Sequence, residues 1–326
     1  MNDHPYALSI VIPVFNSAET LPKLLDQVAA LKIPGGHELI LVNDGSRDAS
    51  AGVAWELADH STLPVTVVDL SRNFGEHNAV MAGLHHVRGA HAIIMDDDFQ
   101  NPFHEVPRLL EHAQKTDCDA VYTFYAEKMH AAWRNWGSQI TNRFADVLLD
   151  KPKDLYLSSF KCLSAFCVSR VLEYTGPFPY LDGLIFQVSQ NVTSIQVSHA
   201  ERITGHSGYS IRKLLHLWLS MFINFSIMPL RFATFAGITL AGIGLLAAIP
   251  VVVEALFYQT PSGWGSLMAS LLVFSGIQLI MLGLMGEYLG RIYLTLNEKP
   301  QFIVRRTKRS ASQSKAAGYT QFPPQT

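Results

Sequence analysis

The stretch Ile93-Ile94-Met95-Asp96-Asp97-Asp98-Phe99-Gln100-Asn101-Pro102 runs an apolar strand straight into three carboxylates. Side chains of an extended segment alternate between faces, so Asp96 and Asp98 share one side while Asp97 points away. Two carboxylates on one side suit a hard divalent cation, Mg2+ or Mn2+, with positions left open for the oxygens of a substrate diphosphate. The competing reading is a solvated loop, or the start of the helix at Pro102, where acidic side chains are also favoured.

Three more polar stretches could share that chemistry. In Asn43-Asp44-Gly45-Ser46, Asp44 can accept hydrogen bonds from a nucleobase or ribose, and Gly45 lets the backbone come close; plain turn chemistry accounts for the same string. Asp48 follows as a helix N-cap. In Ser71-Arg72-Asn73-Phe74-Gly75, Arg72 can meet a phosphate or a base. The loop from Glu201 to Lys213 carries Arg202, Arg212 and Lys213, which can clamp a lipid phosphate or simply meet anionic headgroups.

These stretches need a scaffold, and the hydrophobic pattern supplies one. Leu8–Val14, Glu38–Val42, Val65–Leu70, Ala92–Met95 and Ala120–Phe124 read as strands. Between the first two, Leu21, Leu24, Leu25, Val28 and Leu31 form one helical stripe, started by Pro22 and ended by Pro34-Gly35-Gly36. Further helices fit 48–59, 76–87 and 103–114. Alternating strands and helices imply an α/β fold, a mostly parallel sheet covered on both faces, with ligands outside the carboxyl ends of the strands. Beyond it the pattern gives a helix near 133–148, a strand near 160–168, a proline-rich turn at Thr175–Pro179 and a last strand at Ile195–Ala200.

Only 16% of the 326 residues are charged, against about 25% in soluble chains. The deficit is local, because residues 232–286 carry one charged side chain, Glu254. The uncharged runs 232–253 and 264–286 each reach the roughly 20 residues that cross a bilayer, so two transmembrane helices are expected. Residues 209–228 suit a helix lying in the membrane interface. Arg212, Lys213 and Arg231 precede the pair, and Arg291, Lys299, Arg305, Arg306, Lys308 and Arg309 follow it, which places both ends in the cytoplasm. The N-terminus lacks a basic, signal-like region, and Cys118, Cys162 and Cys167 match no disulfide or zinc spacing; both point to a cytoplasmic first domain. A net charge of -2 with no basic stripe argues against nucleic acid. Expected units are therefore a catalytic domain at 1–207, an interface helix at 208–230, a membrane hairpin at 231–290 and a basic tail at 291–326, polar from Ser310 and disordered at its end.

In this order, the motifs resemble membrane-bound family 2 glycosyltransferases that act on polyprenyl phosphates. The likeness covers roughly residues 8–305. It is carried by Ser9-Ile10-Val11-Ile12-Pro13-Val14-Phe15-Asn16, Asn43-Asp44-Gly45-Ser46, Arg72-Asn73-Phe74-Gly75, Asp96 to Pro102, and Gly286-Glu287-Tyr288-Leu289-Gly290-Arg291-Ile292-Tyr293. The closing motif resembles bactoprenol glucosyltransferases and undecaprenyl-phosphate aminoarabinose transferases more than dolichol-phosphate mannose synthases. Departures are Phe15-Asn16-Ser17 where the family often has Tyr-Asn-Glu, Asp97 in place of a small residue, and the stretches Ser158–Cys162 and Tyr180–Leu184.

The resemblance implies a GT-A fold. Asp96 and Asp98 would hold Mg2+ or Mn2+ and the donor diphosphate, and Pro13, Asn16, Asp44, Arg72, Asp97 and Gln100 would bind the nucleotide-sugar. Arg202 and Lys213 would hold the acceptor phosphate, and Asp182 a sugar hydroxyl. The implied reaction is inverting transfer of a monosaccharide, from a UDP-sugar, to undecaprenyl phosphate on the cytoplasmic face of the inner membrane. Its lipid-linked product would pass to a flippase and serve glycan or lipopolysaccharide modification, and homo-oligomers are common in such families. Two alternatives stay open: a glycosyltransferase with a hydroxyl acceptor, for which Asp182 would be the base, and a noncatalytic nucleotide-sugar-binding membrane protein.

Overall fold

The computed structural model describes residues 4–125, 155–198 and 263–310, with isolated helical positions at 235, 237, 239 and 246. Arg202, Lys213, the helix near 133–148, the interface helix at 209–228 and most of the first membrane run lie outside the described residues. The chain divides into two compact units, Met1–Gly208 with Pro300–Thr326, and Tyr209–Lys299.

In the first unit β1 (Tyr6–Val14), β2 (His37–Asn43), β3 (Val65–Leu70), β4 (Gly89–Ile94), β5 (Ala120–Tyr125), β6 (Lys161–Ser164), β7 (Val192–Val197) and β8 (Val304–Arg309) form one sheet. Its order is β7-β5-β6-β4-β1-β2-β3-β8. β4, β1, β2 and β3 run parallel, as do β5 and β7, while β6 and β8 are antiparallel to their neighbours. The sheet is therefore mixed. Leu8, Ile10 and Ile12 of β1 and Leu39 and Leu41 of β2 are fully or almost fully buried in the core against α1 (Leu21–Ala29). On the other face α3 (Glu76–Leu84) packs so closely that a Cβ on Gly83 would lie 2.5 Å from Val11 Cγ1 and 2.9 Å from Val42 Cγ2. Only glycine fits there.

α2 (Ser50–His60) and α4 (Val106–Thr116) fill the positions that the periodicity indicated. α4 starts three residues later than expected, behind a 3-10 turn at Phe103–Glu105. The strand expected at 160–168 stops at Ser164, whose hydroxyl accepts from Cys167 N (3.1 Å) and caps α5 (Ala165–Val171). A capping serine thus ended what the apolar run alone reads as strand. The last strand begins at Val192 rather than Ile195, because its pairing partner β5 starts opposite it, at Ala120.

β8 was not expected. The segment read as a basic tail returns to the edge of β3 over Thr66–Leu70. Ser310, placed at the start of the polar tail, is buried and accepts from Val65 N at 3.0 Å. Arg306 Nε donates to Asp69 Oδ2 at 2.8 Å, and the guanidinium lies 4.2 Å from the Trp55 ring. Basic side chains on an outermost strand also discourage edge-to-edge pairing.

The second unit contributes α7 (Trp264–Leu296), a helix of 33 residues and so about 50 Å long. Its Phe274–Leu296 stretch is long and apolar enough to cross a membrane. The uncharged run 264–286 forms the first two-thirds of this helix, which continues through the Gly286–Tyr293 motif.

Candidate functional site

The parallel register brings the carboxyl ends of β1, β2 and β3 level, with Val14 opposite Asn43 and Asn43 opposite Asp69. The loops that follow them emerge along one edge. Asn16, at φ 55, accepts from Arg47 N through Oδ1 (2.8 Å), while its own N–H donates to Ser46 Oγ (3.0 Å). Ser17 N donates to Ser50 Oγ (2.8 Å) and Ala18 N to Asp48 Oδ2 (3.2 Å). Asp48 also accepts from Ser50 N at 3.0 Å, a turn contact one residue ahead of the helix; the N-cap is Ala49, not Asp48 as expected. Pro13 lies within β1 opposite Val42.

Asp44 is buried and uses both oxygens on the next loop, accepting from Phe74 N (2.7 Å) and Gly75 N (2.9 Å). Burial raises its pKa and those two N–H groups oppose the rise. Gly45 is needed here: at φ +62, a Cβ would lie 2.3 Å from the Arg72 carbonyl carbon. Arg72 is thereby held at the edge, exposed, 4.5 Å from the Phe74 ring. It makes no ion pair with a described residue.

At the end of β4 the three carboxylates take different partners. Asp97 accepts from Ser17 Oγ at 2.5 Å, which ties the acidic turn to the 15–18 loop. Burial, aided by the charges of Asp96 and Asp98, pushes its pKa up to about 6, against the pull of the Ser17 bond. Asp96 and Asp98 both act on Tyr125, whose phenol is pushed up to about 12, first by burial and then by those charges. Asp96 accepts from Ser159 Oγ (2.6 Å), and Asp98 from Gln100 N (3.1 Å). Tyr125 OH donates to buried Asn101 (2.5 Å). Asp96 and Asp98, apart from the Ser17-bound Asp97, offer hard oxygens that suit a divalent cation, whose remaining ligands would come from a diphosphate and water.

Beside this turn lies a cluster that sequence reasoning found only in part. Lys161 is 3% exposed and Asp182, on α6 (Leu181–Val188), is 7% exposed. Lys161 Nζ and Tyr122 OH (2.8 Å) both donate to Asp182 Oδ1. β6 carries Lys161 opposite Ile94, two residues before Asp96. Asp182 is thus an oriented, ion-paired acceptor. His77 stacks edge-on against Tyr180 at 5.3 Å between ring centroids, and burial lowers its pKa. Glu76, first residue of α3, is open to solvent on one side and walled by protein and carboxylates on the others. That enclosure, followed by the charge of Asp96, pushes it up to about 7, while Lys161 opposes the rise. A lysine between apolar neighbours and a glutamate opening a helix carry no pattern that marks them in sequence.

A mixed α/β sheet that gathers an acidic turn, a buried aspartate cradle and an exposed arginine along one edge is the GT-A arrangement of a glycosyltransferase. Residues 9–171 match the family model described as Glycosyl transferase family 2. The chain belongs to that family and is a glycosyltransferase. It is 36% identical to the undecaprenyl-phosphate 4-deoxy-4-formamido-L-arabinose transferase of Pseudomonas savastanoi pv. phaseolicola, over 95% of this chain and 94% of that protein. With the protein of the same name in Pseudomonas fluorescens it shares 35%, over 97% and 95%. The fold resembles glucosyl-3-phosphoglycerate synthase from Mycobacterium tuberculosis, solved with Mn2+, uridine-diphosphate-glucose and phosphoglyceric acid. That likeness has a TM-score of 0.51 and 16% identity, over 67% of this chain and 78% of that one.

Proposed function

We propose that this enzyme transfers a monosaccharide from a nucleotide-sugar, a UDP-sugar, to undecaprenyl phosphate at the cytoplasmic face of a bacterial membrane, with inversion at the anomeric carbon. The observation that carries the reading is the acidic turn at the end of β4, where Asp97 is bound to Ser17 while Asp96 and Asp98 take other partners. The names of the relatives support the acceptor, and the apolar Phe274–Leu296 stretch supports residence in the bilayer where such a lipid lies.

An oxygen of the acceptor phosphate, largely ionised at neutral pH with a second pKa of about 6, forms the new bond to the anomeric carbon. The bond from that carbon to the nucleoside diphosphate breaks, and its electron pair leaves with the diphosphate. No proton has to be removed. Asp96 and Asp98 would hold Mg2+ or Mn2+, which supplies positive charge to the leaving diphosphate. Asn16, Asp44 and the loop that carries Arg72 orient the nucleotide, and Gln100 lies next to the diphosphate. Arg202 and Lys213 bind the acceptor phosphate in this reading. Alignment of the two substrates then supplies much of the rate. The product passes to a flippase, and the enzyme works as a homo-oligomer.

The test is a membrane-fraction assay with undecaprenyl phosphate, Mg2+ or Mn2+ and radiolabelled nucleotide-sugars. Label enters the lipid phase from one donor and EDTA blocks it. Label that enters only hydroxyl-bearing glycans, or no product from any donor, would overturn the acceptor assignment.

A further inference from the structure

The protein uses one oxygen of Asp182 and leaves the other open. Tyr122 and Lys161 both donate to Oδ1, and no described residue donates to Oδ2, on a side chain only 9% exposed. That oxygen is not sealed in the interior, so a ligand donor can reach it. Its position is tied to the acidic turn, because Ser159, two residues before Lys161, donates to Asp96 at 2.6 Å. Glu76 is tied to the same cluster by its neighbour His77, which packs edge-on against Tyr180, two residues before Asp182. Its place is fixed by the Gly75 N bond to Asp44, and the charges of Asp96, Lys161, Asp182 and Asp97 all act on it.

A donor sugar hangs from its diphosphate by the anomeric oxygen, so a diphosphate held at Asp96 and Asp98 leaves the ring within about one ring's width of them. Ser159 is spent on Asp96, and Lys161 and Tyr122 are spent on Asp182. Glu76 and Asp182 Oδ2 accept from no described residue, and the charges of both Asp96 and Asp182 act on Glu76. We propose that Glu76 and Asp182 Oδ2 form the subsite for the transferred sugar, each accepting a hydrogen bond from a ring hydroxyl or an amide N–H. Lys161 and Tyr122 are positioning residues that aim Asp182. The competing accounts are a solvated glutamate that merely complements the α3 N-terminus, and a contact to the nucleotide rather than the sugar. The inference rests on the nucleotide-sugar reading above but not on the identity of the acceptor.

Calorimetric titration of the full-length protein in detergent with Mg2+ separates these accounts. The probes are UDP, UDP-glucose, UDP-N-acetylglucosamine and UDP-4-deoxy-4-formamido-L-arabinose. For whichever UDP-sugar the wild type binds best, Glu76→Gln weakens binding by about tenfold, the loss of one charge-assisted hydrogen bond. UDP itself keeps its affinity to within about twofold, because it reaches neither carboxylate. Tyr122→Phe gives a smaller loss with the same selectivity, since Lys161 still holds Oδ1. Glu76→Asp, with its shorter reach, shows the same selective loss and serves if Glu76→Gln does not accumulate. Equal losses for UDP and the UDP-sugar overturn the subsite, as does no loss for either. A wild type that binds neither UDP nor any UDP-sugar overturns the donor reading instead.

Discussion

Lys161→Met removes the ammonium that faces Asp182 and leaves a carboxylate inside the protein. Both residues are buried, at 3% and 7% exposure, so water cannot replace the lost partner. Breaking such a pair from one side costs about 3–5 kcal/mol. Tyr122 OH stays on Asp182 at 2.8 Å, which puts the cost at the lower end, about 3 kcal/mol. In a domain of this size each kcal/mol lowers Tm by about 2–4 °C, so the variant should melt about 6–12 °C below wild type. Adding Asp182→Asn removes the stranded charge and keeps an acceptor for Tyr122. The double variant Lys161→Met/Asp182→Asn should therefore recover most of the loss, as neutral replacements of buried ion pairs do. Differential scanning fluorimetry of detergent-solubilised wild type, both single variants and the double variant reads this cycle directly. A Lys161→Met shift smaller than about 2 °C, or a double variant that loses the sum of the two singles, would refute the buried-pair argument.

Asp98→Asn should abolish label transfer to lipid while the protein still inserts in membranes, and undiminished transfer would remove Asp98 from the donor site. Gly45→Ala would set a Cβ 2.3 Å from the Arg72 carbonyl carbon at φ +62, so the 72–75 loop must move; UDP affinity should fall by more than about tenfold, as titration would show. Glu76, pushed up to about 7, binds its proton more tightly when folded, so the native state loses stability as pH rises from about 4.5 to about 7. Melting curves in EDTA should then place Glu76→Gln above wild type near pH 8 and level with it near pH 4, whereas a constant offset would contradict the assignment.

Sequence alone determined the features that are local in physical origin. Alternation and helical periodicity marked β1 to β5 and the helices between them, and an apolar strand meeting charge marked Asp96 to Asp98. Alternation set Asp97 apart from its neighbours as an expectation, but gave no sign of its partner Ser17, 80 residues earlier. What only the tertiary structure decided depends on pairing across the sheet. β8 joins β3 from the far end of the chain, because edge pairing satisfies backbone groups without any side-chain period to announce it. Lys161 stood out in sequence only within Ser158–Cys162, a stretch that departs from the family pattern, and it became half of a buried pair when β6 aligned it with Ile94 and α6 brought Asp182 against it. Glu76 opens α3 like any exposed acid. Only the folding of three separate segments around it, those of Asp96 and Asp97, Lys161 and Asp182, gathers the charges that set its pKa, and no one-dimensional pattern encodes that convergence.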